Sequence, residues 1–301
     1  MVPFDQRSGH IWYDGALVDW ADATLHVLTH GLHYASSVFE GLRVYDGVPF
    51  MIREHLARLA ASARILDFEV PFPEQELYEA TLEVVGKAGI VDGYIRMNAW
   101  RGSEVIQTAA LHTSVHASIA AWETPAGYYS AADALQTGIS LQTARYRRPS
   151  ADSAPIKSKA AGNYMIGTVC KNEALRAGFD DALLLDTDGL IAESTGAHVF
   201  FVRDGALHTP TTRATIDGIT RACVLAIAEH LGIPCVVGDL EPAFVASADS
   251  AFICGTALEL LPVARIDEHS YAPGEHEVFT QLLAEYRELT RGRSAVTVAR
   301  P

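Results

Sequence analysis

The stretch Ser153–Gly167 reads S-A-P-I-K-S-K-A-A-G-N-Y-M-I-G and contains two lysines, Lys157 and Lys159, among small residues. Neither lysine has an acidic neighbour within the stretch, and the small neighbours leave room for a bulky group beside an ammonium. A lysine that is removed from water can act as an amine nucleophile. Because exposed lysines are common, a polar loop that leads into a helix is the simpler interpretation of this stretch taken alone.

The composition is typical of a globular protein with a sizeable core. The chain has 301 residues, a length that is sufficient for two domains. Of these residues, 49% are hydrophobic and 20% are charged. Its net charge of -14 argues against a general affinity for nucleic acid or an anionic membrane surface. A site for an anionic ligand would therefore have to supply its own local positive charge.

The cysteines and the termini indicate an intracellular protein. Four cysteines are scattered without a C-x-x-C pair, so neither a zinc site nor a disulfide framework is predicted. The N-terminus has no basic segment followed by an apolar run, and no apolar stretch is long enough to span a bilayer. We expect a cytoplasmic protein with reduced thiols.

Hydrophobic periodicity predicts a chain that mixes strands and helices. The strands are predicted at Ile11–Tyr13, Leu17–Trp20, Ser37–Tyr45, Pro49–Ile52, Gly93–Trp100, Val115–Trp122, Ile139–Thr143, Ala182–Leu185, Val199–Val202, Cys235–Val237 and Ala251–Ile253. The helices are predicted at Arg53–Leu66, from Pro73 to Gly89, and at Asn163–Ala177, Gly218–Gly232 and Glu275–Arg291. The turn pairs Asp-Gly favour hairpins, so we expect sheets that are mixed and largely antiparallel.

The chain is expected to form two domains of the α+β or mixed α/β class. A segment rich in Pro and Gly, E-T-P-A-G-Y-Y-S, follows a predicted strand and is typical of a linker. We therefore predict a small N-terminal α/β domain over residues 1–122, a linker over 123–133, and a larger C-terminal domain over 134–301.

Several single features could serve a ligand, and each has a plain alternative. Asp217 could cap a helix, yet Gly218 lets a ligand approach the free N–H groups at its start. Glu193 stands at a strand end, where most glutamates are exposed. His26, His30 and His33 have a spacing that invites a metal site, but no acidic residue completes the set, so polar packing around a turn is favoured.

Taken in order, six motifs resemble the branched-chain aminotransferases, which are pyridoxal-phosphate enzymes of fold type IV. The motifs are H-G-L-H-Y-A-S-S-V-F-E-G-L-R-V-Y-D-G (30–47), R-E-H-L-A-R-L (53–59), K-A-A-G-N-Y (159–164), A-E-S-T-G (192–196), D-G-I-T-R (217–221) and G-T-A (255–257). The resemblance covers nearly the whole chain. It implies the two-domain fold of that family, pyridoxal 5′-phosphate as the cofactor and no metal.

The resemblance also assigns the residues that bind the cofactor. It selects Lys159 over Lys157 as the lysine that forms the aldimine, and it makes Tyr164 the donor to the ring hydroxyl. Glu193 becomes the anion at the pyridine nitrogen. The implied phosphate ligands are Arg58, the N–H groups of Ile219 and Thr220, and Thr256.

The same family implies the substrate and the partners. Its substrate residues correspond here to Tyr34, Phe39, Arg43, Tyr94, Arg96, Tyr129 and Ala257. Alternation along a strand puts Tyr94 and Arg96 on one face, where Arg96 can meet a second carboxylate. The expected partners are amino acids, keto acids and further copies of the chain, since the family is dimeric or higher. A loop of the neighbouring subunit, here within Gly102–Thr113, would complete the pocket.

The resemblance implies that the amino group of Leu, Ile or Val moves to 2-oxoglutarate. An (R)-amine or D-amino acid transaminase and an aminodeoxychorismate lyase share the fold and the cofactor and are the alternatives. Three departures from the family pattern bear on the amino donor: Met97, His198 and Leu258 stand where the family usually has other residues.

Overall fold

The computed structural model describes residues 2–124, 133–274 and 276–298. The chain divides into two compact units, the first comprising Met1–Pro125 and Ser158–Gly162 and the second comprising Ala126–Lys157 and Asn163–Pro301. The mixed α/β, two-unit architecture is confirmed, whereas the domain limits at 122 and 134 stay a prediction. The segment that carries Lys159 thus belongs to the first unit, although it is flanked by residues of the second.

The first unit is an antiparallel sheet with helices. Its strands follow the order β2-β1-β6-β5-β3-β4, and each neighbouring pair is antiparallel. The strands are β1 (His10–Tyr13), β2 (Ala16–Asp19), β3 (Ser37–Tyr45), β4 (Val48–Pro49), β5 (Gly93–Arg101) and β6 (Val115–Glu123). The helices are α1 (His30–His33), α2 (Ile52–Ile65) and α3 (Glu74–Ala88), and 3-10 turns cover Phe4–Gln6 and Trp20–Asp22.

One face of this sheet packs against α2 and α3. Leu42 and Val44 on β3 are fully buried in a core shared with Leu56 and Leu59 of α2. Because side chains alternate along a strand, the odd-numbered residues of β3 lie on the sheet face that points away from α2. The sheet therefore separates a helix-covered core from a second face that is free to carry polar groups.

The second unit contains a nine-stranded mixed sheet. Its order is β12-β11-β10-β13-β14-β7-β8-β9, with β15 paired to β14. The strands are β7 (Ile139–Thr143), β8 (Asp181–Leu185), β9 (Ile191–Ser194), β10 (His198–Arg203), β11 (Ala206–Pro210), β12 (Cys235–Gly238), β13 (Ser250–Gly255), β14 (Glu259–Ile266) and β15 (His269–Ser270). The helices are α4 (Ala134–Thr137), α5 (Met165–Arg176), α6 (Ile219–His230) and α7 (Glu277–Thr290), and a 3-10 turn covers Pro242–Ser247. A further 3-10 turn, Ala161–Tyr164, begins in the first unit and ends in the second.

Both faces of this sheet are apolar at its centre. Phe201 belongs to one core cluster, while the neighbouring Phe200 stacks on Phe252 at 5.1 Å on the other face. Phe252 in turn meets Phe279 of α7 at 5.4 Å between ring centres. Strands that are covered on both faces give a continuous apolar run, as the predicted strand at Val199–Val202 does.

Most predicted elements are found, and the exceptions have physical causes. The strand predicted at Pro49–Ile52 is wrong, because β4 stops at Pro49 and Ile52 already begins α2. Strand β14 was not predicted, since it contains Pro262, a residue that central strands exclude. Pro262 is tolerated because it lies just before Val263, where the pairing of β14 with β7 begins. Among the described residues, no helix is long and apolar enough to cross a membrane.

Candidate functional site

Lys159 lies on a segment that is held between β3 and α2. Its backbone N–H donates to the Ser62 hydroxyl on α2 at 3.0 Å, and its carbonyl accepts from the Phe39 N–H on β3 at 3.1 Å. The Ser158 hydroxyl donates to the Ser62 carbonyl at 2.9 Å. The half-buried Lys159 side chain places its Nζ 4.8 Å from the centre of the Phe39 ring. A backbone fixed from two sides carries the amine.

Four of the predicted substrate residues share the sheet face that points away from α2. Cross-strand pairs join Gly41 to Arg96 and Arg43 to Tyr94, and alternation puts Phe39 on the same face. The Arg96 guanidinium lies 4.5 Å from the centre of the Phe39 ring and 5.7 Å from that of Tyr94. The face therefore combines aromatic walls with a cation that can meet a carboxylate.

Arg58 is held by a buried acid that the sequence did not single out. Glu40 on β3 accepts from Arg58 Nε at 2.7 Å and from Nη2 at 2.9 Å. The other carboxylate contact is His55 Nδ1, at 2.7 Å from Glu40 Oε2. Both Glu40 and His55 are fully buried. The fork between guanidinium and carboxylate fixes the direction of Arg58.

The charge states of this cluster follow from burial and from its ion pair. Burial would raise the pKa of Glu40, but the charge of Arg58 and the hydrogen bonds from Arg58 and His55 oppose it and hold the pKa well below its ordinary value. Burial lowers the pKa of His55 in spite of the Glu40 carboxylate. We therefore treat His55 near neutral pH as an uncharged donor, so that Arg58 alone balances Glu40.

Lys157 is engaged elsewhere. Its Nζ donates to the Thr212 carbonyl at 2.7 Å and pairs with Asp217 Oδ1 at 3.2 Å. Burial would raise the pKa of Asp217, but the hydrogen bond from Thr212 and the charge of Lys157 outweigh it and lower the pKa. Asp217 is therefore the partner of Lys157 and not the N-cap of α6, which is Gly218. Of the two lysines, Lys157 has the structural role.

In the second unit, one arginine links Glu193 to the residue before Tyr164. Arg148 Nε lies 2.9 Å from Glu193 Oε1, an ion-pair distance at an angle that does not make a hydrogen bond. Arg148 Nη1 donates to the Asn163 carbonyl at 3.1 Å. Both members of the pair are buried, so Glu193 is not the exposed glutamate of the simpler interpretation. Tyr164 is half-buried at the start of α5.

The N-terminus of α6 carries Ile219 and Thr220. Gly218 has extended backbone, and the helix start has no side-chain cap. A Cβ at position 218 would overlap the ring of His198, so a side chain there would require His198 to move. Backbone N–H groups at an uncapped helix start are suited to an anion. The observed geometry agrees with the predicted phosphate cradle, while its role stays a prediction.

The remaining predicted site residues are spread over three places. Thr256 and Ala257 form the turn between β13 and β14 and are half-buried. Tyr34 follows α1, is 40% exposed, and stacks on His30 at 4.5 Å. Tyr129 lies outside the described residues.

His26, His30 and His33 each contact a backbone group through a ring nitrogen. His26 Nδ1 accepts from the Leu28 N–H at 3.1 Å, and His33 Nε2 lies 2.8 Å from the Val27 carbonyl. His30 Nε2 lies 3.0 Å from the Gln107 carbonyl, which ties α1 to the loop at 102–113. These contacts agree with polar packing around a turn.

The three departures from the family pattern lie in different surroundings. Met97 is fully buried on the core face of β5, and the neighbouring Arg96 is on the other face, so Met97 does not lie among the predicted substrate residues. His198 is buried against Gly218, beneath the start of α6. Leu258 is partly buried against the core of the second unit.

Sequence reasoning missed Glu40, His55 and Arg148. One signal was present for Glu40, because a single acid in an otherwise apolar strand, S-V-F-E-G-L-R-V-Y, is buried with a partner or is misplaced. No local signal marks Arg148, since it lies 45 positions before Glu193 and the contact depends on the sheet.

The family described as amino-transferase class IV matches residues 37–266 of this chain. A similar protein is the branched-chain-amino-acid aminotransferase of Pseudomonas aeruginosa, which is 37% identical over 293 residues, covering 96% of this chain and 95% of that protein.

Solved structures show the same likeness. The T.th. branched-chain amino acid aminotransferase in complex with N-(5′-phosphopyridoxyl)-L-glutamate superposes with a TM-score of 0.90 at 38% identity, covering 96% of each chain. The same enzyme in complex with 4-methylvaleric acid gives a TM-score of 0.89 at 38% identity, again over 96% of each chain.

Proposed function

This chain belongs to the class IV aminotransferases, among the branched-chain amino acid aminotransferases, and from that membership we propose that it moves the amino group of L-leucine, L-isoleucine or L-valine to 2-oxoglutarate. It is a pyridoxal-phosphate-dependent enzyme. One observation carries the substrate assignment. The Lys159 ammonium and the Arg96 guanidinium both lie against the Phe39 ring, at 4.8 and 4.5 Å.

The residues of the chain fit this cofactor. Glu193 is a buried carboxylate whose charge is balanced by Arg148, as a partner of a protonated ring nitrogen needs to be. The start of α6 offers backbone donors above a glycine at which a side chain would overlap His198, which suits a phosphate group. When bound, the cofactor supplies the electron sink for the pair released from the substrate Cα–H bond.

The roles of the chain's own groups follow from their chemistry. The Lys159 amine would hold the cofactor covalently at rest and, once released, would take the proton from the substrate α-carbon. Glu193 would hold the ring nitrogen, and the Tyr164 hydroxyl would donate to the ring oxygen. Arg58, Thr256 and the N–H groups of Ile219 and Thr220 hold the phosphate.

The substrate face suits both partners of the reaction. The rings of Phe39 and Tyr94 give an apolar wall for a branched side chain, and Arg96 receives the second carboxylate of glutamate or 2-oxoglutarate. Tyr34, Arg43, Tyr129, Thr256 and Ala257 complete the proposed substrate set. The two T.th. complexes contain one ligand of each kind, a glutamate adduct and a branched carboxylic acid.

The alternatives are not favoured. The relatives named above are branched-chain aminotransferases, and none of them is named as an (R)-amine transaminase, a D-amino acid transaminase or a lyase. A keto acid that accepts the amino group separates transfer from elimination, and the configuration of the donor separates the transaminases.

We further propose a homodimer or higher oligomer that works in the cytoplasm. Large apolar side chains are exposed on the first unit at Leu25, Val27, Leu28, Leu32 and Leu111, and such clusters mark contact surfaces. Leu111 belongs to the loop proposed to reach a neighbouring subunit. The four free thiols agree with a reducing compartment. Molar mass by light scattering tests the assembly, and Leu32→Asp is expected to lower it.

One experiment tests the function directly. The visible band of the holoenzyme is recorded while L-leucine, D-alanine or an (R)-arylamine is added without an acceptor. We expect L-leucine to bleach the band and 2-oxoglutarate to restore it with release of glutamate. Bleaching by D-alanine or the arylamine, with L-leucine inert, would contradict the proposed substrate.

A further inference from the structure

The buried cluster of Glu40, His55 and Arg58 joins the same two elements that hold Lys159. Glu40 is on β3, next to Phe39, whose N–H donates to the Lys159 carbonyl at 3.1 Å. Arg58 is on α2, one turn before Ser62, whose hydroxyl accepts from the Lys159 N–H at 3.0 Å. The cluster therefore sets how β3 and α2 stand at the position of the lysine.

The carboxylate of Glu40 is shielded from solvent and makes its contacts within the protein. It is 0% exposed and takes three contacts of 2.7 to 2.9 Å, two from Arg58 and one from His55. The side-on fork uses Arg58 Nε and one N–H of Nη2, and so it directs the Nη1 donors away from Glu40. A long side chain on a helix surface is thereby reduced to one orientation.

From this geometry we propose that Glu40, supported by His55, is a positioning residue that fixes the Arg58 guanidinium at a set distance from Lys159 for the cofactor phosphate. The positioning role rests on the proposed function, because it requires a phosphorylated cofactor attached at Lys159. Neither Glu40 nor His55 is assigned a contact with substrate or cofactor.

A simple charge argument predicts the opposite effect, which makes the role testable. An anion beside Arg58 reduces its attraction for phosphate, so removing the anion alone should tighten binding. Orientation should outweigh this attraction, because a guanidinium released from its fork must be ordered again when the phosphate binds. Residues that orient metal ligands from behind cost about 10–100-fold when they are changed, and we expect the same range for the residue that orients Arg58.

The test compares two aldehydes that differ only in the phosphate. Apoenzyme is titrated with pyridoxal 5′-phosphate or with pyridoxal, the affinity is read from the visible band, and borohydride reduction with peptide mapping locates the label. For Glu40→Gln we expect a loss of about 10-fold or more in affinity for the phosphorylated form with little change for pyridoxal. Arg58→Ala sets the full size of the phosphate-selective loss, and adding Glu40→Gln to it should change nothing further.

Ser62→Ala is the matched control at the other end of the cluster. It removes the hydroxyl that holds the Lys159 backbone, so it should weaken both aldehydes alike. If Glu40→Gln does not fold, His55→Leu tests the same role, because it removes the other contact of the Glu40 carboxylate. We expect a smaller loss of affinity for pyridoxal 5′-phosphate. His55→Asn should restore that affinity, because its amide can donate to Glu40.

The outcomes distinguish failure of the proposed function from failure of the positioning role of Glu40. A wild-type protein that takes no label at Lys159 overturns the proposed function itself. A labelled wild type with an unchanged ratio of the two affinities in Glu40→Gln overturns the positioning role alone, and so does an equal loss for both aldehydes or a gain for the phosphorylated one.

Discussion

The ring of Tyr94 lies across Gly41 on the sheet face that carries the proposed substrate residues. A Cβ at position 41 would overlap the Tyr94 hydroxyl and lie 2.5 Å from its Cζ. Gly41 sits in a regular stretch of β3 without a positive φ, so it is required for space and not for backbone conformation. The absent side chain at position 41 therefore decides where an aromatic wall of the face can stand.

Gly41→Ala should displace Tyr94 and destabilise the fold. Overpacking of this kind costs about 1–3 kcal/mol, and the affinity for branched substrates should fall with it. In a Tyr94→Ala background the same change should cost little, because the overlapping ring is gone. Denaturant unfolding of the four proteins measures the coupling, and additive effects within about 0.5 kcal/mol would contradict the overlap.

Replacing the two lysines should give opposite results. Lys159→Ala should reduce turnover by about 10²–10⁴-fold or more through the lost proton transfer alone. Lys157→Ala removes a partly exposed pair with Asp217, so it should cost under about 1 kcal/mol of stability and leave the chemistry intact. Steady-state rates and borohydride labelling test both variants. An active Lys159→Ala enzyme would refute the assignment.

Replacing Arg148 alone should lower the free energy of unfolding more than replacing both Arg148 and Glu193. Arg148→Met leaves the Glu193 carboxylate buried without its cation, and breaking a buried pair costs about 3–5 kcal/mol. Arg148→Met combined with Glu193→Gln should recover part of that loss. Unfolding free energies test the pattern, and a double variant as unstable as the sum of the single ones would speak against the ion pair.

The arginine on the substrate face should distinguish dicarboxylates from branched substrates. Arg96→Met should raise KM for 2-oxoglutarate and lower its kcat/KM by about 10–150-fold, the worth of a charged hydrogen bond of about 1.5–3 kcal/mol. The half-reaction with L-leucine should change little. Single-turnover bleaching by leucine and recovery with 2-oxoglutarate measure the halves separately. Equal loss in both would place Arg96 elsewhere.

The Glu40 cluster should make stability depend on pH in two ranges. Because both groups have a lowered pKa in the folded protein, the unfolded chain binds more protons, and stability falls as the pH falls. The His55 contribution should be lost as the pH drops below about 6.5, and that of Glu40 below about 4.3, each with a slope of at most about 1.4 kcal/mol per pH unit.

Two variants isolate these contributions. His55→Asn should flatten the difference in unfolding free energy between about pH 7 and 5, and Glu40→Gln should flatten it below about pH 4.3, the ordinary pKa of a glutamate in the unfolded chain. Denaturant titrations at a series of pH values give the curves. Wild-type slopes in His55→Asn would mean that His55 is not held neutral.

Local sequence patterns predicted much of the fold because the elements follow their own periodicity. The limits of β3 and β7 agree with the predicted Ser37–Tyr45 and Ile139–Thr143. The pattern failed where pairing decides the structure, as in β14, whose Pro262 argues against a strand until β13 and β7 are known to flank it. Tertiary context overrides propensity at such places.

For the site, the resemblance assigned roles to some residues of the motifs and gave none to the residues that support them, such as Glu40 and His55. Lys159 and Glu193 stand in short stretches of unusual composition, and the resemblance assigned them roles. The contact of Arg148 with Glu193 joins β9 to a residue outside the named strands, and the contact of Glu40 with Arg58 depends on the packing of β3 on α2. Neither contact leaves a trace in local spacing.

Lys159, the proposed aldimine lysine, lies in a segment of five residues, Ser158–Gly162, that belongs to the first unit although the residues on either side of it belong to the second. A gene cut at the predicted linker, residues 123–133, would separate this lysine from the strand and the helix that hold its backbone. Neither half should then be a self-sufficient folding module. Coexpressed fragments, or a circular permutant that keeps 158–162 in place, would be needed to recover the intact protein.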